Sequence, residues 1–369
     1  MKIVADDKIP WLRGVFEPFA EVVYLPGKKI SPADVADADA LIVRTRTVCG
    51  RDLLAGSKVR VVATATIGFD HIKTEELETL GIPWYNAPGC NAGSVKNYIA
   101  SALSNFGCDL AGRTLGIIGV GNVGKLVAEV GRVFGMKLLL NDPPRADKEG
   151  AAGFVQLDEL LRESDIVTMH VPLEKSGKYP TVDMADEKFF RAMKSGSSYF
   201  NSCRGEVVVP SALKSALQSG KISCALMDVW PGEPNIDPEL AALIRFGTPH
   251  IAGYSKDGKA NGTAAAVRCV SKALGIKELY DFAVDSLPKP VFDETIMVDG
   301  NAPVWQQLNQ AVLHTYDIMD DVNAFYTDIS GFEELRGSYW NRREFPAYTV
   351  CGASQNAKEK LEILGFKVK

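Results

Sequence analysis

The apolar run Thr114-Leu115-Gly116-Ile117-Ile118 leads directly into Gly119-Val120-Gly121-Asn122-Val123-Gly124, and a helical pattern continues to about Phe134. Three glycines at this spacing, between a strand and a helix, leave few folds open. The first glycine permits a tight turn and the second lets the backbone approach a pyrophosphate. The third lets the helix pack closely on the strand. The next apolar run, Lys137-Leu138-Leu139-Leu140-Asn141, ends at Asp142. A carboxylate about 20 residues beyond such a turn bonds both ribose hydroxyls and repels a 2′-phosphate, which favours NAD over NADP. Arg145 pulls the other way, because a guanidinium can pair with a 2′-phosphate. A lone glycine turn can also be purely structural; here the flanking strand, helix and acid favour dinucleotide contacts at Gly119, Gly121, Asn122, Val123, Gly124 and Asp142.

The rest of the chain repeats the alternation. Strands are expected at Lys2–Ala5, Val22–Leu25, Ala40–Val43 and Val59–Thr64, then at Ile166–Met169, Ser198–Asn201 and Cys224–Asp228. Pro26-Gly27, Ser31-Pro32, Gly56 and Gly81 punctuate the first group. Short apolar runs separated by helix-length segments predict an α/β fold with parallel sheets. A long helix is expected over about 92–106. Beyond about residue 290 the texture changes: 291–300 reads as loop, 304–320 as helix, 347–351 as strand and 356–364 as helix. The 369 residues are enough for two or three domains.

Composition excludes several classes. The net charge of −5 argues against a dedicated nucleic-acid binder. No apolar run is long enough to cross a bilayer, and the first residues lack the apolar core of a secretion signal. The seven cysteines are scattered without a CxxC pair, so reduced thiols, a cytoplasmic setting and no metal site are expected.

Three charged residues stand in distinct contexts downstream of the turn. Arg204 lies in Asn201-Ser202-Cys203-Arg204-Gly205 and Glu233 in Asp228-Val229-Trp230-Pro231-Gly232-Glu233-Pro234. His250 lies in Pro249-His250-Ile251-Ala252-Gly253. A guanidinium can hold a carboxylate, an imidazole can take a hydroxyl proton, and a carboxylate can orient and charge the imidazole. Alone, each has an ordinary alternative: a surface charge, a turn acid, a structural histidine. Asp228 ends a strand, where it can accept from a nicotinamide carboxamide or cap a turn. His71 and His170 read as structural or as supports for groups beside the site, and His314 falls on a helix.

These motifs resemble the D-isomer-specific 2-hydroxyacid dehydrogenases over about residues 1–285. The resemblance implies a discontinuous flavodoxin-like substrate domain, 1–94 and 254–290, and a Rossmann NAD domain, 95–253. It assigns catalysis to Arg204, Glu233 and His250. It also implies NAD contacts at Ser202, Cys203, Asp228 and Gly253, and substrate contacts at Thr45, Thr66 and Tyr254. The segments 63–71, 86–92, 141–145, 250–255 and 256–263 narrow the likeness to members acting on a phosphorylated acid. Tyr339-Trp340-Asn341-Arg342-Arg343-Glu344 resembles part of a small α+β C-terminal dimerisation domain, 291–369. Such a domain implies a homodimer and would be dispensable for hydride transfer. A substrate phosphate calls for cations, for which Arg44, Arg46, Arg342 and Arg343 are candidates, the last two reaching into a partner's site. Two departures stand out: Thr45 replaces the usual serine, and Val171 replaces a threonine, which removes a side-chain bond to NAD. The alternatives are a dehydrogenase for a shorter phosphorylated acid such as 3-phosphoglycerate, and a non-enzymatic NAD-sensing corepressor.

Overall fold

Each apolar run near the N-terminus becomes a parallel strand with helices on both faces. The computed structural model describes residues 1–369 and divides into two units, Met1–Asn91 with Ser255–Pro288, and Ala92–Tyr254 with Lys289–Lys369. In the first unit the strands are β1 (Lys2–Asp6), β2 (Glu21–Leu25), β3 (Ala40–Val43), β4 (Val61–Thr64) and β5 (Trp84–Tyr85). Their order is β2-β1-β3-β4-β5, all parallel. Every residue of β3 and β4 is buried, as a doubly covered parallel sheet requires. Ile3, Ala5, Ile42 and Ala63 pack on Val267 and Val270 of the helix Lys256–Leu274. Val4, Leu41, Val43 and Val62 pack on Leu53 and Leu77 from the opposite face.

The second unit holds β6 (Thr114–Ile118), β7 (Lys137–Asn141), β8 (Ile166–Met169), β9 (Ser197–Asn201), β10 (Ile222–Met227) and β11 (Phe246–Gly247). The order β11-β10-β9-β8-β6-β7 is again wholly parallel. From β6 the chain runs out to β7, then returns to the other side of β6 as β8. That reversal is a topological switch point, and ligands of open α/β sheets sit beyond the carboxyl ends of the strands there.

A third small parallel sheet has β12 (Thr295–Met297), β13 (Thr349–Cys351) and β14 (Lys367–Val368). Part of the stretch read as loop, 291–300, is therefore an edge strand, with only Ile296 of its three residues buried. The helix expected over 304–320 is two helices, Val304–Thr315 and Ile318–Thr327. Tyr316 ends the first in an extended conformation and Asp317 caps the second, its side chain accepting from Met319 N at 3.0 Å. The C-terminal stretch does not close a core of its own. Ile296, Leu308, Val312, Val350 and Leu361 join one apolar cluster with Tyr98, Leu103, Val127 and Val130. A unit so small buries too little apolar surface alone, and it completes its core against helices more than about 150 residues earlier in the chain.

Candidate active site

The glycine turn leaves the carboxyl end of β6. Gly119 has φ +84°, and a Cβ there would strike the carbonyl oxygen of His170. A Cβ on Gly124 would strike the carbonyl oxygen of Gly119, so the helix Asn122–Val133 sits directly on the turn. Gly121 differs: its missing side chain faces open space, with nothing within 4 Å. Two of the glycines are thus required by the protein's own packing. The middle one keeps clear the space beside a helix N-terminus, where backbone N–H groups attract a pyrophosphate. Asn122 is exposed and Val123 half-buried beside it.

Asp142 follows β7. Its Oδ2 accepts from Val120 N at 2.8 Å and its Oδ1 from Arg145 N at 3.1 Å, which ties the strand end to the turn. An ionised carboxylate has about four acceptor sites, so two remain for ribose hydroxyls. Arg145 is engaged by Glu149, with Nε to Oε1 at 2.9 Å, and by Val120 O at 2.7 Å. These contacts hold a cation that would otherwise favour a 2′-phosphate.

The three charged residues lie just beyond three successive strands, β9, β10 and β11. After β9, Asn201 shapes the loop: its Oδ1 accepts from Cys203 N at 3.0 Å and its Nδ2 donates to Arg204 O at 2.9 Å. A Cβ on Gly205 would collide with the backbone of Trp230, so the Arg204 loop and the turn after β10 lie flush. Arg204 Nη1 donates to Cys203 O at 2.7 Å. The hydroxyl of Ser202 is buried with no partner in the chain, as a group that awaits a ligand would be.

After β10, Glu233 accepts from Trp230 N through Oε2 at 3.1 Å, and its Oε1 lies 2.5 Å from His250 Nδ1. Burial pushes the Glu233 carboxyl up, but the bond to His250, the charge of that ring and the Trp230 amide outweigh it. The carboxyl ends below its ordinary range. His250 itself has φ +58°, an uncommon conformation for a residue with a side chain.

Asp228 explains how that conformation persists. Its carboxylate is buried and accepts from Thr248 Oγ1 at 2.7 Å, Ile251 N at 2.7 Å and Ala252 N at 2.9 Å. Its main-chain carbonyl accepts from His250 N at 2.7 Å. Asp228, read on sequence as an acceptor for the cofactor amide, holds the histidine loop, and burial pushes its carboxyl up.

Arg342 also departs from expectation. It is fully buried, with its guanidinium 4.4 Å from the Tyr316 ring centre. Its Nη2 donates to Ile251 O at 3.2 Å and Ala252 O at 2.6 Å. An arginine enclosed in its own chain cannot reach a partner's phosphate, so that expectation is corrected for Arg342. Arg343 is half-buried. Tyr254 packs edge-on against Tyr339 and its hydroxyl accepts from Arg336 Nε at 3.0 Å. Sequence reading passed over Arg336, which lies on a one-turn helix with no motif around it. Gly253 is half-buried between Ala252 and Tyr254.

In the first unit, Arg44 follows β3 and donates from Nη2 to the buried Asp6 at 3.3 Å. Thr45 and Arg46 are exposed. The Thr66 hydroxyl donates to Gly68 O at 2.9 Å and lies 2.8 Å from Thr64 Oγ1, which is 3.1 Å from His71 Nε2. Burial lowers His71 to about 4 and His170 to about 3, so both rings are neutral at pH 7. Each ring has a threonine partner, Thr64 for His71 and Thr168 for His170.

The family described as D-isomer specific 2-hydroxyacid dehydrogenase, NAD binding domain, matches residues 92–252. A domain of unknown function matches 287–365. A curated protein of Bacteroides fragilis named erythronate-4-phosphate dehydrogenase is 46% identical over 95% of this chain and 99% of its own length. The chain belongs to the erythronate-4-phosphate dehydrogenase family. A Shigella flexneri relative of the same name is 40% identical over 99% of this chain and 98% of its own. Among solved structures, the NAD-bound 3-phosphoglycerate dehydrogenase of Entamoeba histolytica superposes with a TM-score of 0.63 at 25% identity. That match covers 78% of this chain and 99% of that one. As in other erythronate-4-phosphate dehydrogenases, the region beyond the NAD-binding match is an integral part of the aligned length.

Proposed function

We propose that the chain oxidises 4-phospho-D-erythronate with NAD to 3-hydroxy-2-oxo-4-phosphooxybutanoate, a step towards pyridoxal 5′-phosphate, and that it works in the cytoplasm as a homodimer. The observation that carries the chemistry is the 2.5 Å contact between Glu233 and His250 beyond the strand ends. The near full-length likeness to proteins named for this substrate supports its identity.

The glycine turn, Asp142, Ser202, Cys203, Asp228 and Gly253 are the residues for NAD. When bound, NAD supplies the acceptor for the hydride that leaves C2 of the substrate. With Nδ1–H donated to Glu233, His250 offers Nε2 as the base for the C2 hydroxyl proton. Glu233 stabilises the imidazolium that results. Arg204 pairs with the substrate carboxylate and polarises the C2 oxygen. Thr45, Thr66 and Tyr254 contribute hydroxyl contacts. Arg44, Arg46 and Arg343 are the candidates for the phosphate, since Arg342 is committed elsewhere.

For the homodimer, the support is a sheet edge. In β12, Met297 is 72% exposed, and Val291 just before it is 62% exposed. An apolar edge strand of this kind is normally covered. No helix is long and apolar enough to cross a membrane. The deciding experiment is NADH formation on a panel of 4-phosphoerythronate, 3-phosphoglycerate, D-lactate and glycerate, each with NAD and NADP. A clear preference for the first acid with NAD is expected, and a preference for any other would overturn the assignment.

A further inference from the structure

The peptide units after His250 are gripped from both sides. The N–H groups of Ile251 and Ala252 point to the buried carboxylate of Asp228, and their C=O groups point to the buried guanidinium of Arg342. Asp228 belongs to the end of β10. Arg342 comes from the C-terminal stretch matched to a domain of unknown function. We propose that Arg342 is a positioning residue for His250, so that the C-terminal stretch takes part in hydride transfer by holding the catalytic loop of its own chain.

Several observations carry this. Both carbonyls are served by one terminal nitrogen, Nη2, and the rigid guanidinium plane against Tyr316 fixes where that nitrogen lies. The fork is itself held: Tyr316 lies beneath it, and its Nη1 donates to Tyr339 OH at 3.3 Å. The hydroxyls of Tyr339 and Tyr316 both donate to Asp321 Oδ2, at 2.6 and 2.8 Å, which supplies a counter-charge. Arg342 Nε has no partner in the chain. Burying a guanidinium is costly, and the carbonyl oxygens of Ile251 and Ala252 are among the groups that compensate it. The loop needs shaping because His250 holds a left-handed conformation that neighbouring bonds must enforce. Aromatic contacts from the same stretch, Phe325 on Trp230 and Tyr339 on Tyr254, brace both flanks of the Glu233–His250 pair.

The inference rests on His250 being the proton acceptor, but its structural half can be read without activity. The test uses full-length Arg342→Lys and Arg342→Met. Three quantities are compared with the native chain: kcat on 4-phosphoerythronate, the dissociation constant for NADH, and hydrogen exchange of peptides across 249–255 and 117–124. Misplacing a reacting group by about an ångström costs on the order of 100-fold, so Arg342→Met should lose about that much in kcat. NADH affinity should be nearly unchanged. Exchange should rise at 249–255 and not at the glycine turn. Arg342→Lys should fall between, since it keeps the charge and a donor but loses the plane seated on Tyr316 and the bond to Tyr339. If Arg342→Met does not fold, the lysine variant decides on the same three readings. Native-like kcat, or losses spread equally over turnover, NADH affinity and exchange at both sites, would overturn the proposal. Altered exchange at 249–255 in a protein inactive on every acid of the panel would sink the functional reading while leaving the grip itself established.

Discussion

Glu233 Oε1 and His250 Nδ1 lie 2.5 Å apart although their loops follow different strands, β10 and β11. The contact fixes which ring nitrogen is left for chemistry. It also makes the carboxylate's charge part of the site's pH response.

Glu233→Gln should lower turnover and shift the pH profile, because a neutral amide supports the imidazolium less well. In the native chain the depressed carboxyl contributes stability that is complete above the unfolded value, about 4.3. That contribution is lost as pH falls through the lower folded value, so the native chain should lose more stability on acidification than Glu233→Gln. Urea titrations of both proteins from neutral to acidic pH test this.

His250→Asn should reduce turnover by about 100-fold or more, the scale of a general base. Asparagine tolerates positive φ, so the loop should keep its course and NADH should still bind. Stopped-flow turnover alongside NADH fluorescence titration separates the two effects.

Asp142→Ala should narrow the preference for NAD over NADP by roughly 1–3 kcal/mol, the cost of an unmet charged hydrogen bond. It should also loosen the turn, because Val120 N loses its acceptor. Steady-state kinetics with the two cofactors measure the gap, and equal use of both by the native chain would refute the assignment.

His71 is buried neutral with its ring lowered to about 4. The unfolded ring titrates near 6.5. The folded value lies lower, so its contribution is present above about 6.5 and is lost as pH falls towards 4. Replacing it in His71→Asn should flatten the fall in unfolding free energy across that window, as read from denaturant midpoints.

Met297→Asp should convert a dimer to a monomer if β12 is the pairing edge, since a charge there blocks strand addition. Light scattering on the full chain and the variant gives the answer directly. An unaltered mass would remove this edge from the interface.

Covered parallel strands were legible because they are continuous apolar runs: β3 and β8, buried throughout, fall where the sequence places them. Two-residue strands such as β5, β11 and β14 carry no periodicity to detect. In the site, the glycine turn and the contexts of Arg204, Glu233 and His250 were readable because their neighbours are stereotyped. Burial was not readable. Asp142 and Asp228 both end strands and look alike on paper, yet Asp228 is sealed beneath the histidine loop. Arg342 reads as a surface cation until its partners, two distant carbonyl oxygens, are known.

The grip on the histidine loop has a consequence for how the protein comes into being. Arg342 is translated 91 residues after the Ile251 whose carbonyl it holds. At synthesis rates of about 5–20 residues per second, the ribosome takes roughly 5–18 s to cover that distance. During that interval the nascent polypeptide has its nucleotide-binding turn and its histidine, but not the side chain that secures the histidine. Competence therefore arrives late in translation, and a tail clipped before Arg342 leaves a protein that carries every reacting group and lacks their alignment.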